Sequence, residues 1–171
     1  MTASSRLRPL TGADTAAVTA LNDAEVPRVG YLGAGGLEAL LVHADLALVA
    51  ERSGQVVGFA IAIAPGAAYT SPNYRYFEAR GSDHLYLDRI AVAASARRQG
   101  VAGALWDAVE DRARKCGRTE VTCEVNVRPP NPGSLAFHLG RGFVEVGRQD
   151  TSSEVTVALL AKPVTPGGGA P

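Results

Sequence analysis

Polar and apolar positions alternate over residues 6–10, the period of a half-buried strand. Thr11-Gly-Ala-Asp14 follows, a capping-box pattern in which each end satisfies an orphan amide at a helix start. Ala17, Val18 and Leu21 then recur at helical spacing until a break near Pro27. A glycine-rich turn over residues 30–36 leads into a second short helix ending near His43. Residues 46–51 and 56–64 are apolar runs joined by Arg-Ser-Gly-Gln, which predicts an antiparallel hairpin. The polar and aromatic stretch 65–82 reads as a long loop, and loops of that length in compact domains are usually functional or disordered. Residues 85–92 predict a strand. The clearest helix spans residues 100–116, with Val101, Ala104, Leu105, Ala108, Val109 and Cys116 on one stripe. Residues 120–127 return as a strand. Asn131-Pro132 then makes a strong helix start, an N-cap followed by proline. That helix ends at residues 140–142, and residues 143–148 and 154–160 close the chain as a hairpin. The resulting order, β-α-α-β-β-β-α-β-α-β-β, predicts an α/β (α+β) fold: a mixed, mostly antiparallel sheet flanked by helices.

A chain of 171 residues fits one domain with a core of its own. The expected domain covers residues 1–162, and residues 163–171, rich in Gly and Pro, read as a flexible tail. The 17 basic and 17 acidic residues balance, so no general pull toward nucleic acid or an anionic membrane is expected. No basic head and apolar run marks a secretory signal, and no stretch suits a bilayer-spanning helix. Cys116 and Cys123 form no CxxC pair and read as structural thiols of a reducing cytoplasm. His43, His84 and His138 are scattered, so no metal site is expected.

The informative stretch is LYLDRIAVAASARRQGVAGAL, residues 85–105, a strand turned sharply into a helix. The helix opens with Arg97, Arg98, Gln99, Gly100, Val101, Ala102 and Gly103. Small residues there let backbone amides approach a ligand, and amides at a helix start carry the positive end of its dipole. With two arginines at the mouth, this predicts an anion site suited to a pyrophosphate. It is neither a Walker loop nor a GxGxxG fingerprint.

The segment Arg97-x-x-Gly100-x-Ala102 resembles the acyl-CoA signature of the GCN5-related N-acetyltransferases (GNAT), Q/R-x-x-G-x-G/A. The preceding Ile90-Ala-Val92 is similar to the end of that family's strand. Downstream, Asn131-Pro-Gly-Ser134-Leu-Ala-Phe137-His138-Leu-Gly-Arg-Gly142-Phe143 resembles its N-x-x-A/S-x-x-F-Y-x-x-x-G-F, with histidine where tyrosine is usual. The resemblance in element order covers residues 6–160. It implies acetyl-CoA as co-substrate and transfer of the acetyl group to a primary amine of a small molecule, amino acid or peptide by direct attack. The backbone of Ile90 and Val92 would hold the pantetheine, and residues 97–103 the phosphates. Asn131 and Ser134 would contact pantetheine or phosphate. His138 stands as either the acid for the leaving thiolate or a structural imidazole. Family members often dimerise through strands near the C-terminus, which leaves room for a homodimer.

The base is read from the strand. Under strict two-residue alternation, Tyr86, Asp88, Ile90 and Val92 share a face, so Asp88 would point toward the thioester. Its alternative is a salt bridge to a neighbouring arginine, and Glu124 is a weaker substitute. Tyr74, Arg75, Tyr76 and Phe77 are expected to line an aromatic slot for the acceptor, with a loop tacked down by its own aromatics as the alternative. Two other functions stay open: a catalytically inactive acyl-CoA-binding sensor or interaction domain, and an unrelated phosphate-ligand protein.

Overall fold

The computed structural model describes residues 5–165. Seven strands form one sheet: β1 (Arg6–Pro9), β2 (Leu46–Arg52), β3 (Gln55–Ile63), β4 (His84–Val92), β5 (Glu120–Arg128), β6 (Val144–Asp150) and β7 (Thr156–Pro163). Five α-helices accompany them: α1 (Thr15–Asp23), α2 (Gly36–Leu41), α3 (Pro72–Arg80), α4 (Val101–Lys115) and α5 (Pro132–Gly140). The strand order is β1-β2-β3-β4-β5-β7-β6, antiparallel throughout except for the parallel pair β4 and β5. The expected mixed, mostly antiparallel sheet is what forms.

Helices cover both faces. On one, α4 buries Val101, Leu105, Trp106, Val109 and Ala113 against Leu87, Val121, Cys123 and Val125 of the central strands. Gly58 makes that approach possible, since a Cβ there would lie 3.1 Å from Val101 Cγ1 and 3.2 Å from the Ala91 carbonyl. On the other face, Val18 of α1, Leu37 and Leu40 of α2, and Tyr74 and Phe77 of α3 pack on Phe59, Ile61, Ile63 and Tyr86. The capping box at Thr11 forms: Thr11 N–H donates to Asp14 Oδ2 at 2.8 Å, at a short 3₁₀ turn leading into α1.

Two expectations need correction. Residues 65–82 are not one long loop, because α3 occupies their second half. Ser71 caps it by accepting from Tyr74 N–H at 3.4 Å, Pro72 occupies its first turn, and Gly81 ends it in the left-handed region at φ 69°. Nor does the tail begin at residue 163. β7 runs through Pro163, and Val164 is buried while its amide donates to Thr119 O at 2.9 Å. The rest of the expected tail, residues 166–171, lies outside the described residues.

Two irregularities shape the middle of the sheet. β4 and β5 pair only over His84–Tyr86 and Glu120–Thr122, so their later residues leave a gap between neighbouring strands. In the pairing with β3, Ile61 faces Arg89 and Ala62 faces Leu87, which makes Asp88 an extra residue, a β-bulge.

Candidate active site

The gap exposes one edge of β4. Ala93 N–H donates to Val57 O on β3 at 2.9 Å, so the alternating amides of Ile90 and Val92 turn the other way, toward the gap. This edge can receive an extended chain as a strand would, by backbone hydrogen bonds.

The gap leads to the start of α4. Gly100 precedes it at φ 83°, a conformation that costs any other residue strain, and Arg98 is also left-handed at φ 57°. No side chain caps this helix, and its first internal bond runs from Ala104 N–H to Gly100 O at 2.9 Å. The amides of Val101, Ala102 and Gly103 are therefore without helical partners. Space remains in front of them: a Cβ added at Gly100 would meet nothing within 4 Å, and at Gly103 only Arg141 Nη1 at 3.8 Å. Arg97 and Arg98 are exposed beside this cradle. Arg97 pairs with Glu25 and donates from Nε to Val92 O at 3.2 Å. Gln99 is engaged elsewhere: its amide donates to Ser95 O and its oxygen accepts from Arg52.

Where β4 and β5 begin to part, two carboxylates meet on the α1–α3 face. Tyr69 Oη donates to Asp88 Oδ1 at 2.7 Å, and Tyr86 Oη donates to Glu124 Oε2 at 2.8 Å. Burial raises the Asp88 carboxyl, opposed by the charge of Arg89, whose Nε lies 3.3 Å from Asp88 Oδ2. Burial first, and the Asp88 charge second, push Glu124 up to about 8. Two coupled carboxyl groups in a poorly solvated place hold a proton between them near neutral pH.

The bulge decides which way Asp88 points. Ile90 and Val92 pack on the α4 side, whereas Asp88 meets Tyr69, a residue of the opposite layer. The expected shared face of Asp88, Ile90 and Val92 does not hold, because the extra residue breaks the alternation. Asp88 keeps company with Tyr86 and Glu124 instead. Its alternative, the ion pair with Arg89, is present as well.

Beside the carboxylates lies a recess of about 220 Å3 walled by Tyr31, Leu32, Ala39, Leu40, Tyr69 and Arg89. Arg89 is committed there, since it donates to Asn22 Oδ1 at 3.0 Å and to Gly30 O. The predicted aromatic slot is not the recess. Tyr74 and Phe77 are buried in the core, and Tyr76 lies against Gly147 and donates to Val146 O at 2.7 Å. Arg75 is exposed on the outer side of α3. The helical period of α3 turns its aromatics inward, so they hold the helix to the sheet.

Residues 19–143, most of the chain, match the family described as the Acetyltransferase (GNAT) family. The chain belongs to that family. Among curated proteins, no sequence matches it. Solved GNAT structures share its fold. Ard1 from Thermoplasma volcanium superposes with a TM-score of 0.76 at 20% identity, over 94% of this chain and 98% of that one. The ribosomal-protein-S18-alanine N-acetyltransferase from Escherichia coli gives 0.67 at 19%, over 98% of both chains. The putative acetyltransferase yncA from Salmonella typhimurium, solved with acetyl-CoA, gives 0.68 at 19%, again over 98% of both.

Within this GNAT chain the second motif folds as a capped helix. Asn131 accepts from Ser134 N–H at 3.4 Å, so capping is its observed role. His138 lies inside the core with 3% of its surface exposed. Its Nδ1 lies 2.7 Å from Ser134 O and its Nε2 3.2 Å from the Trp106 indole nitrogen, which donates to it. That pattern requires the Nδ1–H tautomer, and burial lowers the affinity of the ring for a second proton. A neutral imidazole with both nitrogens bonded and Trp106, Phe137 and Phe143 around it is a structural group. Of the two expectations for His138, the acid does not fit. Cys123 is likewise buried, with its thiol pushed well up by burial.

Tyr69, Tyr31 and Leu32 are the site residues that sequence reasoning missed. Tyr69 carried a signal, the start of the aromatic run, but its partner Asp88 is 19 residues away.

Proposed function

We propose that the chain is an N-acetyltransferase that moves the acetyl group of acetyl-CoA to a primary amine of a small molecule, amino acid or peptide. What carries this reading is a coincidence in space: an open β4 edge leads from an uncapped helix start to a buried carboxylate pair. The amides of residues 101–103, with Arg97 and Arg98, take the pyrophosphate. The pantetheine lies along Ile90 and Val92, and the Val92 amide faces the thioester oxygen as negative charge grows on it. Asn131 and Ser134 border the pantetheine from the far side of the gap. The amine enters from the recess beside Tyr69 and attacks the thioester carbon, forming the C–N bond. Its proton goes to the Asp88 and Glu124 pair, and the C–S bond breaks. The thiolate departs as a good leaving group and takes its proton from water, since His138 is not placed to supply one. No helix among the described residues is long and apolar enough to cross a membrane, and the two unpaired cysteines agree with a cytoplasmic setting.

The sequestered His138, standing where the family usually has tyrosine, favours one other reading, an acyl-CoA-binding domain without turnover. Thiol release from acetyl-CoA across a panel of amino acids, polyamines, aminoglycosides and peptides separates them. The expected result is amine-dependent release that falls about 100-fold or more in Asp88→Asn or Glu124→Gln. Tight binding of acetyl-CoA with no release for any amine would establish the inactive reading.

A further inference from the structure

The segment between α1 and α2 touches both halves of the site. Glu25 pairs with Arg97 beside the α4 cradle, and its second oxygen lies 3.3 Å from Arg28 Nη1. Two residues on, Pro27 O accepts from Asn126 Nδ2 of β5 at 3.0 Å. Residues 25 and 27 therefore tie the β4–α4 turn to β5 across the gap between the strands. A second recess, of about 260 Å3, lies at this crossing between Pro27 and Asn131. Farther along, Gly30 O is held by Asn22 and Arg89, and Tyr31 and Leu32 wall the recess beside the carboxylates. One short stretch thus closes the gap at one end and shapes the acceptor recess at the other.

We propose that residues 25–32 are a strap that acetyl-CoA unlatches, so that cofactor binding remodels the acceptor recess. The inference rests on the reading that Arg97 and the α4 amides take the pyrophosphate. A phosphate oxygen and the Glu25 carboxylate compete for the same guanidinium, and the phosphate, with the α4 amides also donating to it, wins the exchange. Glu25 is not left alone, because Arg28 on the strap keeps its second oxygen. Once Arg97 changes partner, the neutral hydrogen bond of Asn126 to Pro27 O is left to hold that end of the strap to β5. Since Tyr31 and Leu32 belong to the same stretch, cofactor and acceptor affinities become linked, and the linkage is reciprocal.

Calorimetric titration of acetyl-CoA into the wild-type protein, Glu25→Gln and Asn126→Ala tests this. Each variant removes one latch, and only the first removes a charge. Both are expected to tighten the Kd by about 5-fold or more. Hydrogen exchange at the amides of residues 25–32 is expected to quicken when acetyl-CoA is added to the wild type. If Glu25→Gln tightens binding and Asn126→Ala does not, the gain is simple charge removal and the strap is overturned. Unchanged Kd values in both variants overturn it while the cofactor reading stands. A wild type that binds no acetyl-CoA sinks the cofactor reading and the strap together.

Discussion

Replacing His138 by phenylalanine removes the acceptor of the Trp106 indole N–H, a donor with no exposure to water. The expected loss is about 1–3 kcal/mol of stability, read by urea unfolding. The pH profile of any turnover should keep its shape, as it would not if His138 were the acid. Glu124 behaves oppositely. Its carboxyl holds a proton up to about pH 8 in the folded chain, against about 4.3 when unfolded. The folded state therefore binds more protons through that window, and stability falls as pH rises across it. On the proposed reading the pair is the base, and a base must be empty, so activity follows the other sign: kcat/KM is expected to climb with pH through the same region. Glu124→Gln should flatten the stability trend. Gly100 and Asn131 were legible in the sequence as helix starts because a helix start depends on local backbone. Asp88 was legible as a carboxylate near the gap. Its orientation was not, because one extra residue, visible only through pairing with β3, turns it to the other layer.

Among the elements, α3 shows what local signals say when they are read fully. Ser71-Pro72 repeats the N-cap and proline that mark α5 at Asn131-Pro132, and Gly81 supplies the stop. Tyr74 and Phe77 stand three apart on its buried side. The surrounding polar residues mask this pattern, and the helix becomes clear only when its two core aromatics are weighed against a capping pair. Ser71→Ala is expected to cost about 0.5–2 kcal/mol, measured by thermal or denaturant unfolding, with no change in acetyl-CoA binding. The same period that makes α3 a helix disqualifies its aromatics as a pocket lining. The recess beside the carboxylates is built instead from α2, the stretch just before it, Tyr69 and Arg89, which sequence proximity alone does not bring together.

Across the whole molecule, the sheet is continuous in order but joined at its centre by only three residue pairs between β4 and β5. Strands β1 to β4 and β5 to β7 are also linked by α4 packing under the seam, by Tyr86 donating to Glu124, and by Tyr76 of α3 donating to Val146 O. A ligand lying in the gap contacts both halves and binds the folded chain alone. Acetyl-CoA at 100 times its Kd should add about 2.7 kcal/mol, a rise of roughly 5–10 °C in Tm seen in a thermal melt. An amine acceptor without acetyl-CoA should give a smaller rise. The overall fold was legible because apolar periods and turn residues set the element order, while the seam depends on strands distant in sequence. The cradle at α4 is built chiefly from main-chain amides, and the recess beside Tyr69 from side chains. If the recess admits the acceptor as proposed, substitutions can retune what enters it while the cradle persists, so lineages built on this plan can change acceptors without reinventing their acyl donor.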